Sequence, residues 1–212
     1  MSPLTYSRFA VKNKNKIEGA ELFQTLPSQN VLFVSNHQTY FADVACMIHA
    51  MGCSISGKPN QITFKEFFFR PYLNFYYVAA EETMKSGLLP KIFALTGSIS
   101  IKRTWRESGK NIKREVDKSD TENIERALKS GWVITFPQGT TKPYVPGRKG
   151  TAHIIKNYKP IVVPIVVDGF RRAFDKKGLF IKKKGTTLKL TIKQPLDIDY
   201  DDSVENILNQ VM

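Results

Sequence analysis

The run Ile161-Val162-Val163-Pro164-Ile165-Val166-Val167 is the longest aliphatic stretch of the chain. It falls well short of the ~20 apolar residues that a bilayer-spanning helix requires, and Pro164 interrupts it. β-Branched residues in an unbroken apolar run read instead as a strand buried on both faces. Asn30–Val34, Trp132–Phe136 and Leu188–Ile192 have the same character, and Gly97–Arg103 alternates like a strand. Between them lie segments with helical spacing: Val44–Met51 ending near Gly52, Lys85–Leu95, a helix carrying Ile124, Ala127 and Leu128 and stopping at Gly131, Thr151–Asn157, and a closing helix over Ser203–Met212. Strands alternating with helices predict an α/β fold with a mostly parallel central sheet flanked by helices.

A chain of 212 residues fits one domain. Residues 1–29 read as a lead-in segment that pads one side of the core, with Pro27 and Ser28 breaking before the first strand, and residues 30–212 as the domain proper. The N-terminal stretch lacks the apolar core of a secretory leader, so neither a leader nor a spanning segment is expected. A net charge of +13 points to an anionic partner: phosphate, nucleic acid or an acidic lipid surface. Cys46 and Cys53 fall on nearly one face of a helix and read as small core residues, and no metal site is expected.

The chemistry concentrates at turns that follow buried strands, where a rigid sheet fixes side chains that a loop leaves reachable. After Asn30–Val34 comes Ser35-Asn36-His37-Gln38-Thr39-Tyr40-Phe41-Ala42-Asp43. Asp43 can accept the proton of one His37 ring nitrogen and leave the other free to act as a base. The same residues also suit a turn-bonded histidine followed by a helix-capping aspartate. Lys102 and Arg103 end the Gly97 strand and suit an anionic ligand, or are simply solvated. Pro137-Gln138-Gly139-Thr140-Thr141-Lys142 leads through Arg148 and Lys149 to a helix N-terminus, a setting that favours an anion as well as an ordinary basic loop. Thr104–Lys118 reads as a long loop over the site, with Ser119 or Asp120 capping the next helix. The aromatic stretch from Phe64 to Tyr77 reads as an interfacial patch or as an aromatic core.

The order of these blocks is more specific than any one of them. Asn-His with a downstream Asp, then Gly97 and Arg103, then Phe136-Pro137-Gln138-Gly139-Thr140, then Val163-Pro164-Ile165, resembles the four blocks of the glycerolipid acyltransferases, the 1-acylglycerol-3-phosphate O-acyltransferase family. The resemblance covers residues 30 to 168. It implies His37 and Asp43 as the catalytic pair, Gly97 and Arg103 as the second block, with Arg103 holding the acceptor's phosphate, and Phe136, Pro137, Gly139 and Thr140 as the third. Joined by Asn36, Gln138, Lys142, Arg148 and Lys149, which are read from their places in the turns, Gly97, Arg103, Gly139 and Thr140 make up the expected acceptor- and donor-binding set. Val163, Pro164 and Ile165 would line the pocket. Two blocks depart from the family pattern. One residue more than usual separates His37 from Asp43, so the turn must bulge for the pair to close. In the third block Gln138 stands where the family has an acid and Thr141 where it has an arginine, which bears on the choice of acceptor, and Lys142 is a candidate replacement for the missing cation.

The resemblance implies one-step acyl transfer without a covalent acyl-enzyme and without a cofactor, acyl-CoA or acyl carrier protein serving as co-substrate. His37 would deprotonate the acceptor hydroxyl, and backbone N–H groups near Gly139 would receive the oxyanion. The expected partners are a lipid acceptor such as a lysophospholipid, the acyl donor and a membrane surface. The expected place is cytoplasmic, peripheral on the inner face of the cell membrane. Rival readings are an amino-acid-derived lipid as acceptor, water as acceptor, or a non-catalytic basic binder of lipid or nucleic acid. The chain carries none of the motifs of common nucleic-acid modules, so nucleic acid is not an expected partner.

Overall fold

The computed structural model describes residues 6–64, 74–81, 97–102, 106–107, 110–111 and 117–212. A π-helical turn, Ser7–Val11, leads into β1 (Lys14–Glu18), a 3-10 turn over Ala20–Gln24 and β2 (Val31–Ser35). Helix α1 (Ala42–Ile55), β3 (Phe75–Ala80), β4 (Ser98–Ile101) and the short β5 (Arg106–Glu107) and β6 (Lys110–Asn111) follow. Then come α2 (Lys118–Ser130), β7 (Trp132–Thr135), α3 (Lys149–Tyr158), β8 (Ile161–Asp168), α4 (Phe170–Ala173), β9 (Thr187–Ile192) and α5 (Val204–Val211).

The main sheet has the order β1-β9-β8-β2-β7-β3-β4. Its neighbours are parallel except β8 and β9, so β1 and β9 run against the other five strands. The most aliphatic strands, β2, β7 and β8, lie side by side at the centre. Strand periodicity splits their side chains between two cores. Val31 and Phe33 face α1 with Met47, Met51, Ile134, Val163 and Ile165. Leu32 and Val34 face the other side, where Ile124, Leu128, Ile155 and Ile207 cover the sheet. The expected α/β fold with a mostly parallel central sheet is the fold observed. No helix among the described residues is long and apolar enough to cross a membrane.

Several local expectations are corrected. The lead-in segment does more than pad the core, because β1 is an edge strand of the sheet, paired in parallel with β9. Within the expected loop Thr104–Lys118, β5 and β6 pair antiparallel and Lys118 already belongs to α2. The cap of α2 is neither Ser119 nor Asp120: Asp117 has extended dihedrals and accepts from the Ser119 N–H at 3.0 Å. Asp120 is buried and accepts instead from the Lys102 N–H at 2.8 Å, tying α2 to the end of β4. Of the aromatic stretch, Phe75 and Tyr77 are buried in β3, while Phe64 is partly exposed and meets Tyr6 edge-on at 5.6 Å. Residues 65–73 of that stretch and the whole of the helix expected over Lys85–Leu95 lie outside the described residues. Cys46 and Cys53 are both buried and unpaired by disulfide.

Candidate active site

The carboxyl ends of β8, β2 and β7 bring three loops together, where ligands of open α/β sheets bind. The turn after β2 carries His37, whose Nδ1 lies 3.1 Å from Asp43 Oδ2. Asp43 is wholly buried in the first turn of α1, whereas the His37 side chain retains 13% exposure. Four donors converge on the Asp43 carboxylate: His37 Nδ1, the Gln38 N–H at 2.6 Å, the Thr39 N–H at 3.0 Å and the Thr39 hydroxyl. A carboxylate only accepts, so this contact places the imidazole proton on Nδ1 and leaves Nε2 with its lone pair. The ring also stacks on Phe136 at a centroid distance of 3.9 Å, which fixes its plane.

The longer His-to-Asp spacing closes because the extra backbone is bonded on both sides. Thr39 Oγ1 accepts from the Ala42 N–H at 3.2 Å, while Asp43 reaches back to the Thr39 N–H, an arrangement akin to a capping box. The remaining donors of the turn leave it altogether: the Tyr40 and Phe41 N–H groups donate to Lys176 O and Lys177 O, each at 3.1 Å.

Asn36 turns away from the opening and clasps β8. Its Nδ2 donates to Val167 O at 2.9 Å, and its Oδ1 accepts from the Val167 N–H at 2.8 Å. This geometry gives Asn36 the work of holding the turn to the sheet. Gln38 does likewise, donating to Val167 O at 3.1 Å and accepting from the Arg171 N–H at 3.1 Å.

The loop after β7 is shaped by its own bonds. Gln138 donates to Val145 O at 2.8 Å and thereby braces the loop from within. The Gly139 N–H donates to Phe136 O at 2.8 Å, so that N–H is engaged in the turn and is not offered to an oxyanion. Thr140 Oγ1 accepts from the Lys142 N–H at 3.2 Å, and the Lys142 side chain is solvated. Arg148 is half-buried, and its N–H donates to Pro137 O at 2.8 Å.

Not every expected residue joins this cluster. Lys149 forms an ion pair with Glu205 of α5. Gly97 has φ +92°, and a Cβ there would stand 2.3 Å from Phe75 O, so the glycine permits β4 to approach β3. Lys102 is paired with Asp117 at 3.0 Å. Arg103 lies outside the described residues.

One residue that the motifs do not predict does join it. Arg171, on α4, donates from Nη2 to Thr141 O, and its N–H bonds Gln38. It thus ties the histidine turn to the loop whose Phe136 stacks on His37. Thr141 is the position where the third block lacks its arginine, and the chain carries a guanidinium to that position from another element. No sequence signal marks this, because the two residues are brought together only by the fold.

A mostly parallel α/β sheet with a His–Asp pair, open on one side, at the carboxyl ends of its central strands defines a class, and the sequence profile of the family described as Acyltransferase matches residues 11–168. The chain belongs to that acyltransferase family. In three dimensions it is similar to the crystal structure of the 1-acyl-sn-glycerophosphate (LPA) acyltransferase PlsC from Thermotoga maritima. The TM-score is 0.59 at 17% sequence identity, over 94% of this chain and 68% of that one. Comparison with curated proteins finds no match.

Proposed function

We propose that this acyltransferase moves a fatty acyl group from the thioester of acyl-CoA or acyl carrier protein to a hydroxyl of a lysophospholipid-like acceptor such as 1-acylglycerol-3-phosphate, a step of phospholipid biosynthesis. The observation that carries this reading is the 3.1 Å contact between His37 and a buried Asp43 on a ring that is still reachable. His37 Nε2 removes the acceptor's hydroxyl proton as the oxygen attacks the thioester carbonyl. The tetrahedral intermediate then collapses, and the thiol leaves with a proton returned by the imidazolium. Asp43 keeps the tautomer and stabilises the imidazolium that forms, as the carboxylate of a hydrolytic triad does. A positioned base of this kind contributes about 10²- to 10⁴-fold.

Arg171 grips the anionic end of the acceptor. Its Nη2 bond to Thr141 O orients the guanidinium beside the Phe136 loop, and a planar fork engages phosphate oxygens in pairs. Lys142, which pairs with no carboxylate among the described residues, adds charge beside it. The protein works at the cytoplasmic face of the membrane, a place that agrees with its charge of +13 and with the need to meet two lipid-borne substrates.

The test is to incubate purified protein with radiolabelled acyl-CoA or acyl carrier protein, with and without lysophosphatidate or a lyso-form of an amino-acid-derived lipid. Acceptor-dependent transfer that disappears in His37→Ala supports the reading. Acyl release at the same rate without any acceptor assigns the dyad to hydrolysis. No turnover of any acyl donor overturns it.

A further inference from the structure

Residues 171–184 carry seven cations, Arg171, Arg172, Lys176, Lys177, Lys182, Lys183 and Lys184, against a single acid, Asp175. Phe174 and Ile181 bridge to each other and close a hairpin within this stretch. Its side chains divide sharply: Phe174 is 1% exposed and anchors the hairpin in the core, whereas Phe180 is 72% exposed. We propose that this hairpin, with Lys182–Lys184 behind it, is the surface by which the protein docks on an anionic lipid bilayer. The proposal rests on the reading of the substrates as lipids.

Lys176 lies over the Tyr40 ring at 5.7 Å, and the charge of the other lysines is open to a partner. Among the described residues Arg172 is paired with Asp168, but none of Lys176, Lys177, Lys182, Lys183 and Lys184 is paired with a carboxylate. The one acid is engaged by the hairpin's own backbone. Asp175 accepts from the N–H groups of Lys177, Leu179 and Phe180, and although burial raises its pKa, these donors outweigh that and lower it. An aromatic ring standing in solvent amid unpaired lysines matches the headgroup region, where rings sit at the apolar boundary and cations meet lipid phosphates. Lysine is depleted at protein–protein interfaces, where arginine is enriched, so the composition favours a bilayer over an acidic protein.

The hairpin is also rigidly coupled to the dyad. Gly178 has φ +77°, and a Cβ on it would stand 2.6 Å from the Ala42 N and 2.9 Å from Thr39 Oγ1. The carbonyls of Lys176 and Lys177 take the Tyr40 and Phe41 N–H groups of the His37 turn. Seating Phe180 in a bilayer therefore sets the height and tilt of the His37 opening above the lipid.

The experiment is co-sedimentation of the full chain with vesicles of phosphatidylcholine alone or mixed with phosphatidylglycerol, at low and high salt. Wild-type protein is expected to sediment with the anionic vesicles and to be released by salt. Affinity should fall about 5-fold for each lysine of Lys182, Lys183 and Lys184 replaced by alanine, and Phe180→Ser should weaken binding further at any salt. Circular dichroism of each variant confirms that it is folded. Unchanged vesicle binding by the folded triple and Phe180→Ser variants overturns the proposal. So does wild-type protein that ignores anionic vesicles, and in that case capture of acyl carrier protein through the same lysines reassigns the surface to a protein partner. Failure of the acyltransfer assay alongside lysine-dependent vesicle binding would remove the proposed reaction and leave the docking surface standing.

Discussion

His37 and His49 belong to one turn-and-helix unit, yet their surroundings assign them opposite work. His37 lies on a rim, with one nitrogen held by Asp43, the ring braced by Phe136 and an edge reachable from outside. His49 lies within α1 at 2% exposure, edge-on to Phe9 at 6.0 Å, and burial pushes its pKa down to about 4. An imidazole becomes a base when one nitrogen has a fixed acceptor and the other has a route to substrate. Buried in the core against an aromatic ring, it is a packing side chain that resists protonation.

The sharpest way to break this comparison is to exchange the two losses. His37→Ala is expected to lower acyl transfer by about 10²- to 10⁴-fold while the folded state persists. His49→Leu should leave the rate per folded molecule at the wild-type level. Steady-state transfer measured beside near-UV circular dichroism checks both, and an active His37→Ala variant would end the assignment.

Asp43→Asn comes next, because it damages both function and fold. The amide group cannot accept at every point where the carboxylate does, so at least one of the Gln38 and Thr39 donors loses its acceptor in a buried site. An unsatisfied buried donor costs about 1–3 kcal/mol. Chemical denaturation should show that loss together with a fall in kcat. A variant with normal kcat would mean that the tautomer of His37 is held by other groups.

The centre of this molecule is more legible in its sequence than the edges are. β2 and β7 are buried on both faces, so their composition alone declares them. β8, expected to be the same, turns Val166 and Asp168 to solvent in its second half, and its unbroken apolar run still declares it a strand. β1, Lys-Asn-Lys-Ile-Glu, buries only Ile17 and reads as polar linker until β9 pairs with it. The His37–Asp43 pair was legible because both members lie in one turn. Arg171 was not, since Thr141 and Gln38 reach it only through the fold. The hairpin left a trace that was available: Asp175 and Gly178 between apolar residues form a turn signal of the kind that Asp and Gly make by bonding their own backbone and by tolerating positive φ. The cap of α2 was ambiguous for a simple reason. Asp117, Ser119 and Asp120 are all competent caps, but the Lys102 N–H takes Asp120 and Ser119 donates to Asp117, which is left to cap the helix.

A pH titration of stability sharpens the comparison further. The folded-state pKa of His49 is depressed to about 4 from an ordinary value of 6.5, so between these values the unfolded chain takes up a proton that the folded chain refuses. Stability from this group is therefore complete above pH 6.5 and declines as pH falls toward about 4, by about 3 kcal/mol at most. The carboxylates titrate in the same region, so the measurement is a difference. Wild-type protein and His49→Leu should diverge below pH 6.5, with the variant losing stability less steeply. Parallel curves would show that His49 is protonated as readily in the fold as out of it.

The smallest expected effect tests whether the rim around His37 binds charge by element or by position. Arg171→Met removes the guanidinium and also the bond to Thr141 O. Loss of one charge-assisted hydrogen bond, at about 1.5–3 kcal/mol, should raise KM for a phosphate-bearing acceptor by about 10- to 100-fold with little change in kcat. A purely structural role for Arg171 predicts the same loss, so the deciding variant adds Thr141→Arg to Arg171→Met. The double variant restores positive charge at the loop without restoring the tether between α4 and Thr141. Recovery of KM shows that charge beside the Phe136 loop is what the acceptor reads. Persistence of the defect shows that the tether matters, and that Arg171 acts by holding the loop against the turn that carries His37.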